Sequence, residues 1–168
     1  MGVEVVIKLP RVVFERIKSI GADVESKVID ALLRELELDP EEEVDARVEP
    51  AQRFLEEGRA LVEKDPVQAS EKLYRAAEES VKALAIHFNL EDILRSARDR
   101  GRWTVTDLER AIEALSNIIG KHFEEAWDRA WALHVWGFHE GKFDSEAVKR
   151  RLPYIARIVE IARETIHK

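Results

Sequence analysis

One stretch of this chain alternates apolar and polar residues. In Val3-Glu4-Val5-Val6-Ile7-Lys8-Leu9, the residues Val3, Val5, Ile7 and Leu9 share one face, with the period of a β-strand. A single strand has no partner for its backbone donors and acceptors, so it must pair with something else, most simply its own copy in a second subunit. After Pro10 the apolar spacing is helical. The chain is therefore expected to be all-α, with a strand-helix-helix appendage ahead of an antiparallel up-and-down helical bundle.

The punctuation of the sequence divides it further. Pro10 opens a helix that runs to Ile20, and Gly21 ends it. Asp23 caps a second helix with an apolar stripe at Val24, Val28, Leu32 and Leu36. Asp39-Pro40 marks the boundary, which predicts a dimerisation appendage over residues 1–38 and a bundle over 40–168. The acidic turn Glu41-Glu42-Glu43 suits the start of a long helix to about Lys64, bent or restarted at Pro50. Asp65-Pro66 starts its antiparallel partner, whose apolar face is Ala69, Leu73, Ala76, Ala77, Leu84 and Phe88. A short helix is expected over 90–99, another from Thr104 or Thr106 to Gly120, and an aromatic-rich one over 121–140. Asp144 caps the last helix, which Pro153 interrupts or kinks.

Composition removes several classes of function. The 168 residues are 45% apolar, enough for one sizeable core, yet no window approaches the roughly 18 apolar residues of a membrane span. The N-terminus carries Glu4 and lacks the features of a signal peptide, so a cytoplasmic protein is expected. There is no cysteine, hence no disulfide, thiolate chemistry or Cys-ligated metal. Charged residues reach 36% and the only methionine is the first residue, which fits a thermophile using ion-pair networks or simply a charge-rich helical protein. The net charge of -7 argues against a surface coated in nucleic-acid contacts but leaves room for a local basic site.

Residues 1–38 resemble a ribbon-helix-helix module through Leu9-Pro10, Gly21 and Val24-Glu25-Ser26-Lys27-Val28-Ile29-Asp30-Ala31-Leu32. That resemblance implies strands paired across a homodimer. Its outward strand positions here are Glu4, Val6 and Lys8, and residues 1–40 hold six Lys/Arg against eight Asp/Glu, so specific DNA binding is not expected.

Residues 44–167 resemble the HEPN superfamily, and within it the archaeal repetitive-protein family abbreviated PaREP. The resemblance is carried by Ala51-Gln52-Arg53-Phe54-Leu55-Glu56-Glu57-Gly58, Asp65-Pro66-Val67-Gln68-Ala69-Ser70-Glu71-Lys72-Leu73-Tyr74-Arg75-Ala76-Ala77-Glu78-Glu79, Gly101-Arg102-Trp103-Thr104 and Ala132-Leu133-His134-Val135-Trp136-Gly137-Phe138-His139-Glu140. Many HEPN domains are metal-independent ribonucleases with an arginine, four to six spacers and a histidine on the penultimate long helix. Arg129 and His134 fit that pattern with four spacers, behind Asp128, and His139 is a second candidate. The resemblance also implies an antitoxin or a nucleotidyltransferase-type protein as a partner.

The chemistry behind the pattern is simple. A histidine exchanges protons near neutral pH and can serve a ribose 2′-hydroxyl, while a guanidinium grips the phosphate. Two readings of His134 compete. Phe123, Trp127, Trp131, His134 and Phe138 form one α-helical stripe, which makes His134 a core residue. On a straight α-helix, five residues also turn Arg129 about 140° away from His134. His134 and His139 are five apart rather than the four that suits a shared zinc, and no metal site or cofactor is expected. Neither a Gly-rich phosphate loop nor a nucleophile elbow occurs. Arg95, Arg98, Arg100 and Arg102 with Trp103 form either an RNA-binding loop or a solvated basic one. Two functions follow: a homodimeric, non-enzymatic module that binds a partner protein or nucleotide, or a toxin-like ribonuclease acting through Arg129 and His134.

Overall fold

The computed structural model describes residues 2–20 and 23–168. The chain divides into two units at the Asp39–Pro40 junction.

The first unit holds α1 (Arg11–Ser19) and α2 (Val24–Glu35). Asp23 caps α2, its carboxylate accepting the Ser26 N–H at 2.9 Å. Residues 2–9 form neither helix nor strand, and no strand occurs among the described residues, which corrects the expected N-terminal strand. The reason is the one that made the strand conditional: among the described residues no second strand pairs with its backbone groups. The predicted helix stop at Gly21 lies outside the described residues. Val3, Val5, Val6 and Ile7 are exposed, and α1 has no buried residue.

The second unit is entirely helical. It comprises α3 (Pro40–Leu61), α4 (Pro66–His87), α5 (Glu91–Arg100), α6 (Val105–Ile119), α7 (Lys121–Ala132), a π-helix (Leu133–His139) and α8 (Ser145–Ile166). The short connection after Leu61 folds α3 and α4 into a hairpin, and Asp65 starts α4 by accepting the Gln68 N–H at 3.0 Å. Gly58 permits that hairpin to close tightly, because a Cβ there would stand 2.8 Å from the Leu73 side chain. α8 packs on α3, α4 and α7, while α6 and the π-helix also lie against α4. The core joins Phe54, Leu73, Leu84, Leu115, Trp127 and Ile158, all but completely buried.

Of the alternatives expected at the two internal prolines, a restart or interruption does not occur. α3 runs through Pro50 and α8 through Pro153 without a break. An interior proline costs a helical hydrogen bond, but Val48, Pro50, Ala51 and Phe54 are all buried, and that packing holds α3 together. The larger departure is at the end of α7. The single α-helix expected over 121–140 becomes π-helical at Leu133, with the Glu140 N–H reaching back five residues to the Val135 carbonyl at 2.9 Å.

Candidate functional site

α4 is the central helix, buried on nearly every side from Ala69 to Ile86. It nevertheless carries a ladder of charges. Arg75 bridges Glu71 (2.9 Å) and Glu78 (2.7 Å), Lys82 reaches Glu79 (3.4 Å), and Arg47 of α3 meets Glu79 at 2.9 Å. Charges removed from water must be paired, and these are. Burial by itself would raise the Glu78 carboxyl, but Lys82 and Arg75 overcome it and hold the pKa down to about 2. Burial likewise opposes the charge on Arg75, and Glu78 and Glu71 keep its guanidinium above the ordinary range. Tyr74 sits among these groups. Burial, then the negative field of Glu78, lifts its phenol far above the ordinary value, so the ring stays neutral.

The ladder ends at His134. Its Nδ1–H donates to Glu71 across 3.0 Å, and its ring stacks on Tyr74 with centroids 4.0 Å apart. Because a carboxylate can only accept, the Glu71 bond uses Nδ1 and leaves Nε2 of His134 to other partners. It lies 3.2 Å from Nε2 of the exposed His139. The π-helix makes this meeting possible: hydrogen bonding from i to i+5 brings residues five apart over one another, where an α-helix would separate them. Gly137 seats the π-helix on α4. A Cβ at that position would fall 2.4 Å from Ser70 Oγ, so only glycine admits the approach that brings His134 to Glu71. The arrangement is a carboxylate-oriented imidazole whose second nitrogen communicates with a solvent-exposed histidine. It can accept a proton at Nε2 and pass one outward through His139.

Comparison with known proteins places the chain. Residues 46–159 match the archaeal PaREP1/PaREP8 family. The chain belongs to that family. No curated protein matches it. The chain is similar to a protein from Sulfolobus solfataricus known from its crystal structure, with 35% identity and a TM-score of 0.65, covering 70% of this chain and 96% of that one. The solution structure of the Orf c02003 protein matches with 35% identity and a TM-score of 0.62, covering 70% and 91% of the two chains.

In this PaREP1/PaREP8 protein the residues singled out from sequence fall in three places. His134 and His139 come together. Arg129 does not join them: its guanidinium carbon lies 5.3 Å from the Tyr154 ring centroid, against α8, while His134 faces α4. The loop arginines are largely occupied. Arg100 is bonded to buried Asp107, which also accepts from Thr104 and completes its capping box, and Arg98 lies 3.9 Å from Glu43. Burial works against the Asp107 charge, yet the bonds from Arg100 and Thr104 hold its carboxyl below the usual range. Arg102 is exposed, and Trp103 packs against the core rather than presenting a free face. Among the described residues no group of three or more His, Cys, Asp or Glu could hold a metal ion.

Sequence reasoning missed Glu71 and Tyr74. The spacing Glu71, Arg75, Glu78, Lys82 reads as the i,i+3 and i,i+4 pairing of a solvated helix face, and nothing in the pattern says that this face is interior.

Proposed function

We propose that this PaREP1/PaREP8 protein is a homodimeric, non-enzymatic binding module of HEPN type, working in the cytoplasm. It pairs through its ribbon-helix-helix-like N-terminal unit and offers its helical bundle to a partner protein or nucleotide. One observation carries the dimer. Of fourteen exposed large apolar residues among those described, ten lie between Val3 and Leu36. A unit this small cannot leave so much apolar surface in water and remain ordered. Within it, Val5, Ile7, Leu9, Phe14, Val24 and Val28 line one apolar groove. A second copy of the same segment, apolar and alternating, fits it and supplies the missing strand partner. The divergence of Arg129 and His134 favours binding over catalysis.

Light scattering should give about twice the 19.4 kDa chain mass at micromolar concentration. Ile7→Lys should revert the protein to a monomer with its helicity retained. A wild-type monomer would end the proposal.

The Glu71–His134–His139 relay favours a second reading, a metal-independent ribonuclease. In that case wild-type protein cuts single-stranded RNA in excess EDTA, and His134→Ala abolishes cutting with little change in melting temperature. Under the binding-module reading RNA stays intact. His134→Ala then costs on the order of 2 kcal/mol, because Glu71 keeps Arg75 but loses the bond to its second oxygen at a buried position, and the Tyr74 ring loses its stack.

A further inference from the structure

We propose that Arg129, Arg150, Arg151 and Tyr154 form a binding site for single-stranded nucleic acid, on the face where α7 meets α8. The inference goes beyond the dimeric module proposed above by naming a ligand class, and it depends on the bundle alone rather than on the dimer.

Many arginines of the bundle are held by carboxylates, as Arg53 is by Glu57, Arg75 by Glu71 and Glu78, and Arg100 by Asp107, while Arg102 and Arg110 stand singly. Arg129, Arg150 and Arg151 have no carboxylate partner among the described residues. In a chain of net charge -7 such a gathering of unneutralised guanidinium groups runs against the general balance. Two of them lie over aromatic rings, Arg129 over Tyr154 and Arg151 over Phe143. On α8, Arg151 and Arg150 precede Tyr154 by three and four residues, which puts all three on neighbouring positions of one face. From α7, Arg129 reaches to 5.3 Å from the same ring, which is 41% exposed.

Arg151 is the inner member. Its guanidinium lies 4.0 Å over the Phe143 ring and gives one bond, from Nη1 to the Ala147 carbonyl. Its Nε is buried without a hydrogen-bond partner. Burial, then repulsion from Arg150 and Arg129, weakens its hold on a proton. Among the described residues no carboxylate balances this charge, and an anion would balance it. A free phosphate would satisfy the guanidinium groups but make no use of the exposed Tyr154 face. A single strand uses both: its phosphates take the spaced arginines and an unpaired base stacks on the ring. A duplex keeps its bases stacked inside and cannot.

The test is fluorescence anisotropy with labelled oligo(U) and oligo(dT) of about 12 nucleotides, in about 0.1 M salt with EDTA, using the full chain. Wild type should bind at least one of the two strands. Arg150→Glu should weaken binding about tenfold or more, and affinity should fall as salt rises. Tyr154→Ala should weaken strand binding by about tenfold while leaving competition by inorganic polyphosphate unchanged. Both positions are exposed, so circular dichroism should report unchanged folding. Arg110→Glu, the same charge change on α6 outside the patch, should leave affinity within about twofold of wild type. The proposal is overturned if neither strand binds at about 0.1 mM. It is equally overturned if Arg110→Glu weakens binding as much as Arg150→Glu, or if Tyr154→Ala leaves strand affinity unchanged. Ile7→Lys, which tests the dimer, leaves this site in place, so the two ideas fail separately.

Discussion

Single residues in this protein matter chiefly through the charges that α4 carries into the interior. Glu78 is the clearest case. Its folded pKa of about 2 lies below that of an unfolded glutamate, so its ionised form stabilises the fold at neutral pH. The sign follows directly. The contribution is complete above the unfolded value, near pH 4.3, and is lost as pH falls through that value toward the folded one. Asp107 is shifted in the same direction and adds to the same acid limb. Melting temperature should hold level from pH 7 to about 5 and then drop steeply toward pH 2. Glu78→Gln should lower the melting temperature at pH 7, because Arg75 and Lys82 lose a buried counter-charge, and should flatten the fall below about pH 4.5. Thermal melts followed by circular dichroism across that range check both effects. An acid limb of equal steepness in the variant would show that Glu78 is not a principal source of it.

Among the elements, the π-helix does what no α-helix could do at the same sequence. It turns two histidines five residues apart into neighbours and sets the Glu71 pairing. Its seat is Gly137, and Gly137→Ala tests the seat. Alanine gains about 1 kcal/mol of helix propensity, but its methyl would meet the buried Ser70 side chain, an overpacking that costs about 1–3 kcal/mol. A net loss of stability is expected. The Glu71–His134 bond should break with it, visible as a changed His134 imidazole resonance in NMR. A more stable variant with His134 unmoved would show that the π-helix has room to spare.

The starts of α2, α4 and α6 were legible in local chemistry: Asp23 and Asp65 cap as their sequences predict, and Thr104 forms the box with Asp107. The π-helix was not. Phe123, Trp127, Trp131 and His134 obey the α period up to the point of departure, and the residue that permits the change, Gly137, acts through its neighbour on a different helix. That α3 does not restart at Pro50 was not legible for a related reason. Its local preference is to break a helix, and only burial against the core outweighs that preference.

At the scale of the molecule, the sequence by itself determined the helical class, the order of the helices, the hinge of composition at Asp39-Pro40 and the family. These follow from the spacing of apolar residues and from caps, which act over a few residues and need no knowledge of what lies across the core. It also determined that residues 3–9 have strand periodicity, though not that a strand forms, because a strand exists only when a second one pairs with it. The tertiary structure alone decided which charged face is interior. The spacing of Glu71, Arg75, Glu78 and Lys82 is the same on a solvated helix as on a buried one, and burial is a property of the neighbours. It decided, too, that His134 meets Glu71 and His139 while Arg129 turns to Tyr154. Residues sixty positions apart in the chain share no local signal, and their meeting depends on how closely two helix backbones approach.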